Sequence, residues 1–286
     1  MLFLILSVLC SVSVGVLLKW SGRRGIDAAQ AITWNYLAAS ALAWWLLRPS
    51  LESLGTASTP WPALLTLAVV LPGIFVVMAR ALREAGIVRT DAAQRLSLLL
   101  SLAAAFALFG ERFQLLKLAG VATGLVAMAG ILHKPDTGAA QRGAWPWLLG
   151  VWIGYALVDI LLKQVARAGT PSTSALLVSF ALAFVLMLGW QLWRHARGRP
   201  RLGWRPLWTG LALGTLNFGN ILFYIRAHQA LPDSPATVFA GMNIGVVALG
   251  TLAGVTLFGE RTSVRNRIGL ALAVVAIGLI ALGARG

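Results

Sequence analysis

Nine stretches of the chain run without a charged side chain: residues 1–18, 28–47, 53–79, 96–110, 118–132, 168–193, 206–225, 234–259 and 268–284. One more, 143–166, carries only Asp159 and Lys163. A helix needs roughly 20 residues to cross a bilayer, and most of these runs approach or exceed that length. The pattern predicts ten transmembrane helices, with the runs starting at 96, 118 and 268 the shortest. Pro72 falls inside the third and is expected to kink or break it. The segments between, such as 50–60 and 133–146, are rich in Gly, Pro, Ser and Thr and read as loops. Ten of the twelve tryptophans sit near the ends of runs, as an aromatic belt requires; Trp34 and Trp152 lie deeper.

The chain repeats itself at about half its length. Phe109-Gly-Glu-Arg opens a glycine-rich run, and Phe258-Gly-Glu-Arg opens another 149 positions later. Gly120 recurs as Gly269, Arg80 matches Arg226, and the Leu-Leu-Lys ending at Lys19 matches the one ending at Lys163. Collinear matches of this kind indicate duplication. Five helices per half is an odd number, so the second half enters the membrane inverted. The fold expected is an all-α polytopic membrane protein, a 5+5 inverted-topology repeat. Residues 1–133 form the first half, 134–146 a linker and 147–286 the second half. Such repeats are typical of transporters with a site near the midplane.

Composition narrows the function classes. Of the 286 residues, 58% are hydrophobic and 12% charged, against about 25% charged in a typical soluble domain. A soluble enzyme is excluded. The net charge of +15 does not point to nucleic acid, because the basic residues cluster between apolar runs as the positive-inside rule dictates. The loops following odd-numbered helices carry 15 basic residues and the opposite side 6. This puts loop 194–205 in the cytoplasm and both termini outside. Cys10 is the single cysteine, so no internal disulfide forms, and His133, His195 and His228 are too scattered to share a metal. The apolar N-terminus lacks a basic n-region and a small-residue cleavage site and reads as the first span. There is no P-loop, HExxH or GxSxG. No cofactor and no catalytic residue are expected.

The duplicated Phe-Gly-Glu-Arg followed by a glycine-rich helix, at 109–132 and 258–280, resembles the EamA-like ten-helix branch of the drug/metabolite transporter superfamily. The resemblance covers essentially the whole chain. Segments 30–37, 155–163, 213–227 and 239–250 look like a bacterial subgroup, which implies the inner membrane. The resemblance also implies that helices 1–4 and 6–9 wall a central cavity, with helices 5 and 10 peripheral. The glycines spaced four apart at 120/124, 210/214, 241/245 and 250/254 read as helix-packing positions.

An ionisable group inside a span costs enough to be a functional candidate. Asp159 is the foremost, as a proton carrier, with Tyr155 one turn before it; the alternative is local pairing with Lys163 at i+4. Arg95 could hold a carboxylate or phosphate, or snorkel to the interface. Its neighbour Gln94 is the repeat mate of Asn243. Asn35, Asn217, Asn220 and Asn243 need hydrogen-bond partners in hydrocarbon, from a polar solute or from other helices. Trp34 and Tyr155 could line a cavity or simply pack. Glu111 and Glu260 are expected to pair with Arg112 and Arg261 at helix turns, and Arg80 and Arg226 to anchor helix ends. The function expected is secondary transport, most plainly export, of a small polar or amphipathic metabolite. A lipid or lipid-linked-sugar translocase is the alternative. The partners expected are the small-molecule solute and the bilayer, with the chain a monomer.

Overall fold

A computed structural model describes residues 1–50, 52–54, 59–109, 115–132, 143–198 and 202–283. Ten long helices account for nearly all of them: α1 (Leu2–Arg23), α2 (Ala28–Leu42), α3 (Trp61–Glu84), α4 (Ile87–Phe109), α5 (Leu115–Leu132), α6 (Ala144–Arg167), α7 (Ser172–Ala196), α8 (Trp204–Ala230), α9 (Pro235–Phe258) and α10 (Val264–Gly283). A π-helical turn, Ala43–Leu47, prolongs α2. Six of the ten are long and apolar enough to cross a membrane on those grounds alone: α1, α3, α6, α7, α9 and α10. Helices α2, α4, α5 and α8 complete the same bundle. The protein is an all-α, multi-pass membrane protein.

Two boundaries differ from the charge-free runs. Helix α3 begins at Trp61 rather than 53, because Thr59 and Pro60 precede it as a cap. It then continues unbroken through Pro72, which is buried. In a bundle, neighbouring helices can take over the backbone carbonyl that proline frees. Helix α4 starts at Ile87, nine residues before its charge-free run, and so carries Arg89, Asp91 and Arg95 within it. Arg89, one of the fifteen basic residues that the charge pattern assigns to loops, is buried and donates through Nε to Ile131 O at 2.9 Å.

The halves interlock as a pseudo-twofold pair. Helix α1 packs on α8 and α9, and its mate α6 packs on α3 and α4. Helix α2 meets α7, α4 meets α9, and α5 packs along α10. The α5–α10 seam is so close that a Cβ on Gly130 would stand 3.1 Å from Gly269 Cα. A side chain at either position would push the helices apart. The α2–α8 contact is made the same way, with Gly210 and Gly214 lying against the Ala31 and Asn35 carbonyls. The buried core centres on Tyr36, whose ring meets Phe75 edge-on at 6.1 Å and Phe180 at 5.9 Å. Nine of the ten span-end tryptophans are exposed, and the tenth, Trp147, is half-buried beneath the Arg80 guanidinium.

Polar ties gather where odd helices end and even helices begin. Lys19 near the end of α1 pairs with Glu260 in the α9–α10 turn. Glu260 also accepts from the first amides of α4, Ile87 at 2.7 Å and Val88 at 3.1 Å. The expected Glu260–Arg261 pair is replaced by this reach across the bundle, since helix-start amides and a buried ammonium both favour a carboxylate. Glu111 and Arg112 lie outside the described residues. On the same face Asn266 donates to Gly130 O and Ile131 O, and Gln30 accepts from the Gly203 amide. We call this the clasped face. On the far face Ser174, opening α7, donates to Ser50 O after α2.

Asp27 caps α2 through the Ala29 and Gln30 amides and pairs with Arg194 at 2.8 Å. Burial pushes its carboxyl up, but the Arg194 hydrogen bond, the two amides and the guanidinium charge outweigh it and hold the pKa below the ordinary value. A depressed carboxylate stabilises above its unfolded pKa and loses that contribution as pH falls through the folded one. Asp27→Asn should therefore lower the Tm at pH 7, and the gap to the parent should close below about pH 4. Lys19→Met strands the Glu260 carboxylate and should cost about 3 kcal/mol or more in thermal unfolding.

Candidate functional site

One face of α4 forms a polar ladder. From Ser101 through Ser97, Arg95 and Gln94 to Asp91 it descends roughly 15 Å toward the clasped face. Asp159 of α6 stands at the upper end, exposed, and accepts from Ser101 Oγ at 3.0 Å. This hydrogen bond ties α6 to α4. Below it lies a cavity of about 240 Å³ whose lining includes Gln94, Arg95, Tyr155, Asn220, Tyr224 and Asn243. The Arg95 guanidinium reaches α1, donating through Nη2 to Ser11 Oγ at 2.8 Å, while its Nε meets no partner among the described residues. A smaller cavity of about 30 Å³ lies beneath, sharing Gln94, Tyr155 and Asn220 and adding Ser11, Asp91 and Asn217.

Supporting bonds hold these walls in place. Trp152 donates its indole N–H to Leu96 O at 2.8 Å, pinning α6 to α4. The Tyr155 hydroxyl lies 3.2 Å from Met78 Sδ on α3. Ser7 of α1 donates to Asn220 on α8, at 2.9 Å to the amide oxygen and 3.0 Å to the carbonyl. Asn243 donates back to Phe239 O at 2.9 Å.

Seven of the nine residues singled out in the sequence therefore meet: Asp159, Arg95, Gln94, Asn243, Asn217, Asn220 and Tyr155. Gln94 and Asn243, matched by the repeat, face the same cavity from α4 and α9. Trp34 and Asn35 line neither cavity. They pack at the α2–α8 crossing, where Gly210 and Gly214 draw the backbones together. The Trp34 Nε1 and both Asn35 amide atoms are buried there without a hydrogen bond.

Asp91 is a residue the charge-free pattern does not single out, because α4 starts nine residues before its run. It is 6% exposed, and among the described residues its Oδ2 receives no hydrogen bond. Its signal in the chain is an acid four residues before Arg95, one helical turn. Gly15 of α1 and Gly250 of α9 flank it; a Cβ on Gly250 would collide with Asp91 Oδ2, and one on Gly15 would stand 3.7 Å from Oδ1.

A larger crevice of about 790 Å³ lies between α1, α2, α3 and α7, lined mainly by apolar side chains with Arg80, Arg83 and the Asp27–Arg194 pair among its residues. It contains none of the nine residues and none of the ladder. Size alone does not mark the chemistry here: Arg95 and Asp159, the ionisable groups inside the apolar spans, converge on the smaller cavity.

The sequence profile of the EamA-like transporter family matches residues 1–133 and 144–282. The chain belongs to this family. An uncharacterized protein of Haemophilus influenzae is 41% identical to it over 287 residues, spanning 96% of this chain and 95% of that one. A solved crystal structure shares the fold, with a TM-score of 0.57 at 19% identity over 99% of this chain and 96% of its own. In this EamA-like transporter α5 and α10 pair with each other along one side, while α4, α6, α8 and α9 supply most of the cavity wall.

Packing around Asp91 can be checked directly. Gly250→Ala should cost about 1–3 kcal/mol by overpacking. Gly278→Ala on α10, where a Cβ meets nothing within 4 Å, should be neutral or stabilise by up to about 1 kcal/mol. Thermal unfolding of the two variants beside the parent reads both.

Proposed function

We propose that this protein is a secondary transporter that exports a small polar or amphipathic metabolite by alternating access, one five-helix half rocking against the other. The convergence of Arg95, Asp159, Gln94, Asn220 and Asn243 on one cavity inside an apolar bundle carries this reading. The guanidinium suits a carboxylate or phosphate, and the exposed Asp159 suits an amine or a proton. The amides can satisfy hydroxyl or carbonyl groups on the same solute. A cavity of about 240 Å³ suits a small molecule. The Glu260–Lys19 tie supports a state closed on the clasped face.

The bacterial inner membrane is the proposed location, with the clasped face in the cytoplasm and both termini outside. Moving Arg89 into α4 leaves fourteen basic residues on that side against six, so the charge bias persists. Both halves are in one chain, so a monomer suffices. Coupling to protons through Asp159 completes the reading. The lipid or lipid-linked-sugar alternative draws on the apolar crevice, whose arginines could meet an anionic headgroup.

A thermal-shift screen of a metabolite library on the purified protein, with Arg95→Ala and Asp159→Asn, tests this. A solute at 100 times its dissociation constant stabilises by about 2.7 kcal/mol. Amino acids or other small solutes should shift the parent and not the variants. A shift confined to phospholipids or lipid-linked sugars would overturn the metabolite reading in favour of the translocase.

A further inference from the structure

We propose that Asp91 is the seat of a monovalent cation, a proton or a sodium ion, beneath the solute cavity. The coupling role given to this cation rests on the transport reading above; the site itself does not.

The first argument is the carboxylate's surroundings. Asp91 is 6% exposed, and no hydrogen bond or ion pair from the described residues reaches its Oδ2. An ionised carboxylate so placed needs a counter-charge or a proton, because hydrocarbon and protein interior solvate it poorly. The nearest cationic side chain on its own helix is Arg95, and the Arg95 Nη2 is spent on Ser11.

The second argument is space. Gly15 and Gly250 bring the α1 and α9 backbones up to the carboxylate, so neither helix covers it with a side chain. The adjoining cavity of about 30 Å³ is large enough for a water, which needs about 10–15 Å³ of such space. A dehydrated monovalent ion fits the same space. Its polar lining, Ser11, Gln94, Tyr155, Asn217 and Asn220, is neutral and rich in oxygen, which suits a hard cation or a hydrogen-bonded carboxylic acid.

The third argument is charge. The titratable groups acting on Asp91 are Arg95 on α4, Tyr155 on α6 and Glu260 beyond α9, and Arg95 in turn faces Asp159 on α6 and Tyr224 on α8. Glu260 is neutralised by Lys19 of α1, and tyrosines are neutral near pH 7. One guanidinium is thus shared between two carboxylates, Asp91 below and Asp159 above. A single positive charge restores balance. A divalent ion would exceed it, and no group of three His, Cys, Asp or Glu among the described residues is arranged for one.

Gln94, Tyr155 and Asn220 line both cavities. Occupancy at Asp91 therefore bears directly on the wall of the solute site, and this shared wall is the route by which cation and solute affect each other.

The experiment needs no solute. Thermal unfolding of the purified full chain is followed from acid to alkaline pH in sodium chloride and in choline chloride at equal ionic strength. The parent should gain about 3 °C or more, on acidification in choline if the ion is a proton, or on replacing choline by sodium if it is sodium. Asp91→Asn should abolish that response, whereas Asp233→Asn, an exposed acid in the α8–α9 turn, should keep it. A parent with no response in either arm, or an Asp91→Asn protein that responds like the parent, overturns the proposal. If Asp91→Asn does not fold, Gly250→Ala keeps the carboxylate and crowds Oδ2. The midpoint of its response should then move at least threefold in ion concentration, and an unmoved midpoint counts against the site. Failure here leaves the metabolite screen untouched, and a screen without hits leaves this result standing.

Discussion

Glu260 does two things at once, and the placement of the site depends on both. It takes the ammonium of Lys19 and the opening amides of α4. Those amides are unsatisfied by the helix itself, and the Lys19 ammonium is largely removed from water, so one carboxylate meets two needs of the same sign. The result ties α1, α4 and the α9–α10 turn at one point. Helix α4 bears the whole polar ladder, so the height of Asp91, Arg95 and Ser101 in the bundle follows from where its first turn is fastened. Arg89, bonded to the end of α5, sets the same turn from the other side.

Helix α4 is tied to its neighbours along the ladder: Arg95 donates to Ser11 of α1, Ser101 donates to Asp159 of α6, and the Leu96 carbonyl accepts from Trp152 of α6, while Ser97 bonds back to Gln94 O within α4. These bonds join three helices, α1, α4 and α6, at the level where Leu96 and Leu99 also pack into the apolar core. Asp91 has no such tie among the described residues, and the Gly15 and Gly250 backbones of α1 and α9 come up against it.

The helix number and the family were legible from charge-free runs and from the duplicated Phe-Gly-Glu-Arg, because the bilayer punishes charge and duplication preserves spacing. The cavity was legible in Arg95, Asp159, Gln94 and Asn243 for the same reason: polar groups in apolar runs are conspicuous. What failed was the assumption that a charge ends a helix. Helix α4 is enclosed by other helices, so Arg89 and Asp91 meet protein rather than lipid and the helix runs on through them. Trp34 and Asn35 lie away from the cavity for another reason. They are as apolar in context as the true lining residues, and only the α2–α8 crossing, set by Gly210 and Gly214, turns them away from the cavity. The Glu260–Lys19 tie joins residues 241 positions apart, and no local pattern announces it.

The glycine seam between α5 and α10 has a mechanical consequence. Backbone touches backbone at Gly130 and Gly269, with no side chain between to shear or re-pack, so the separation there is nearly incompressible. A relative rotation of the two halves has its smallest displacement at such a seam and its largest farthest from it. On the alternating-access reading the seam would act as a fulcrum and α4 and α9, packed beside it, as short arms. Small angular changes would then be read out as ångström-scale opening at distant α2 and α7, while the ladder close to the fulcrum would keep its geometry through the stroke.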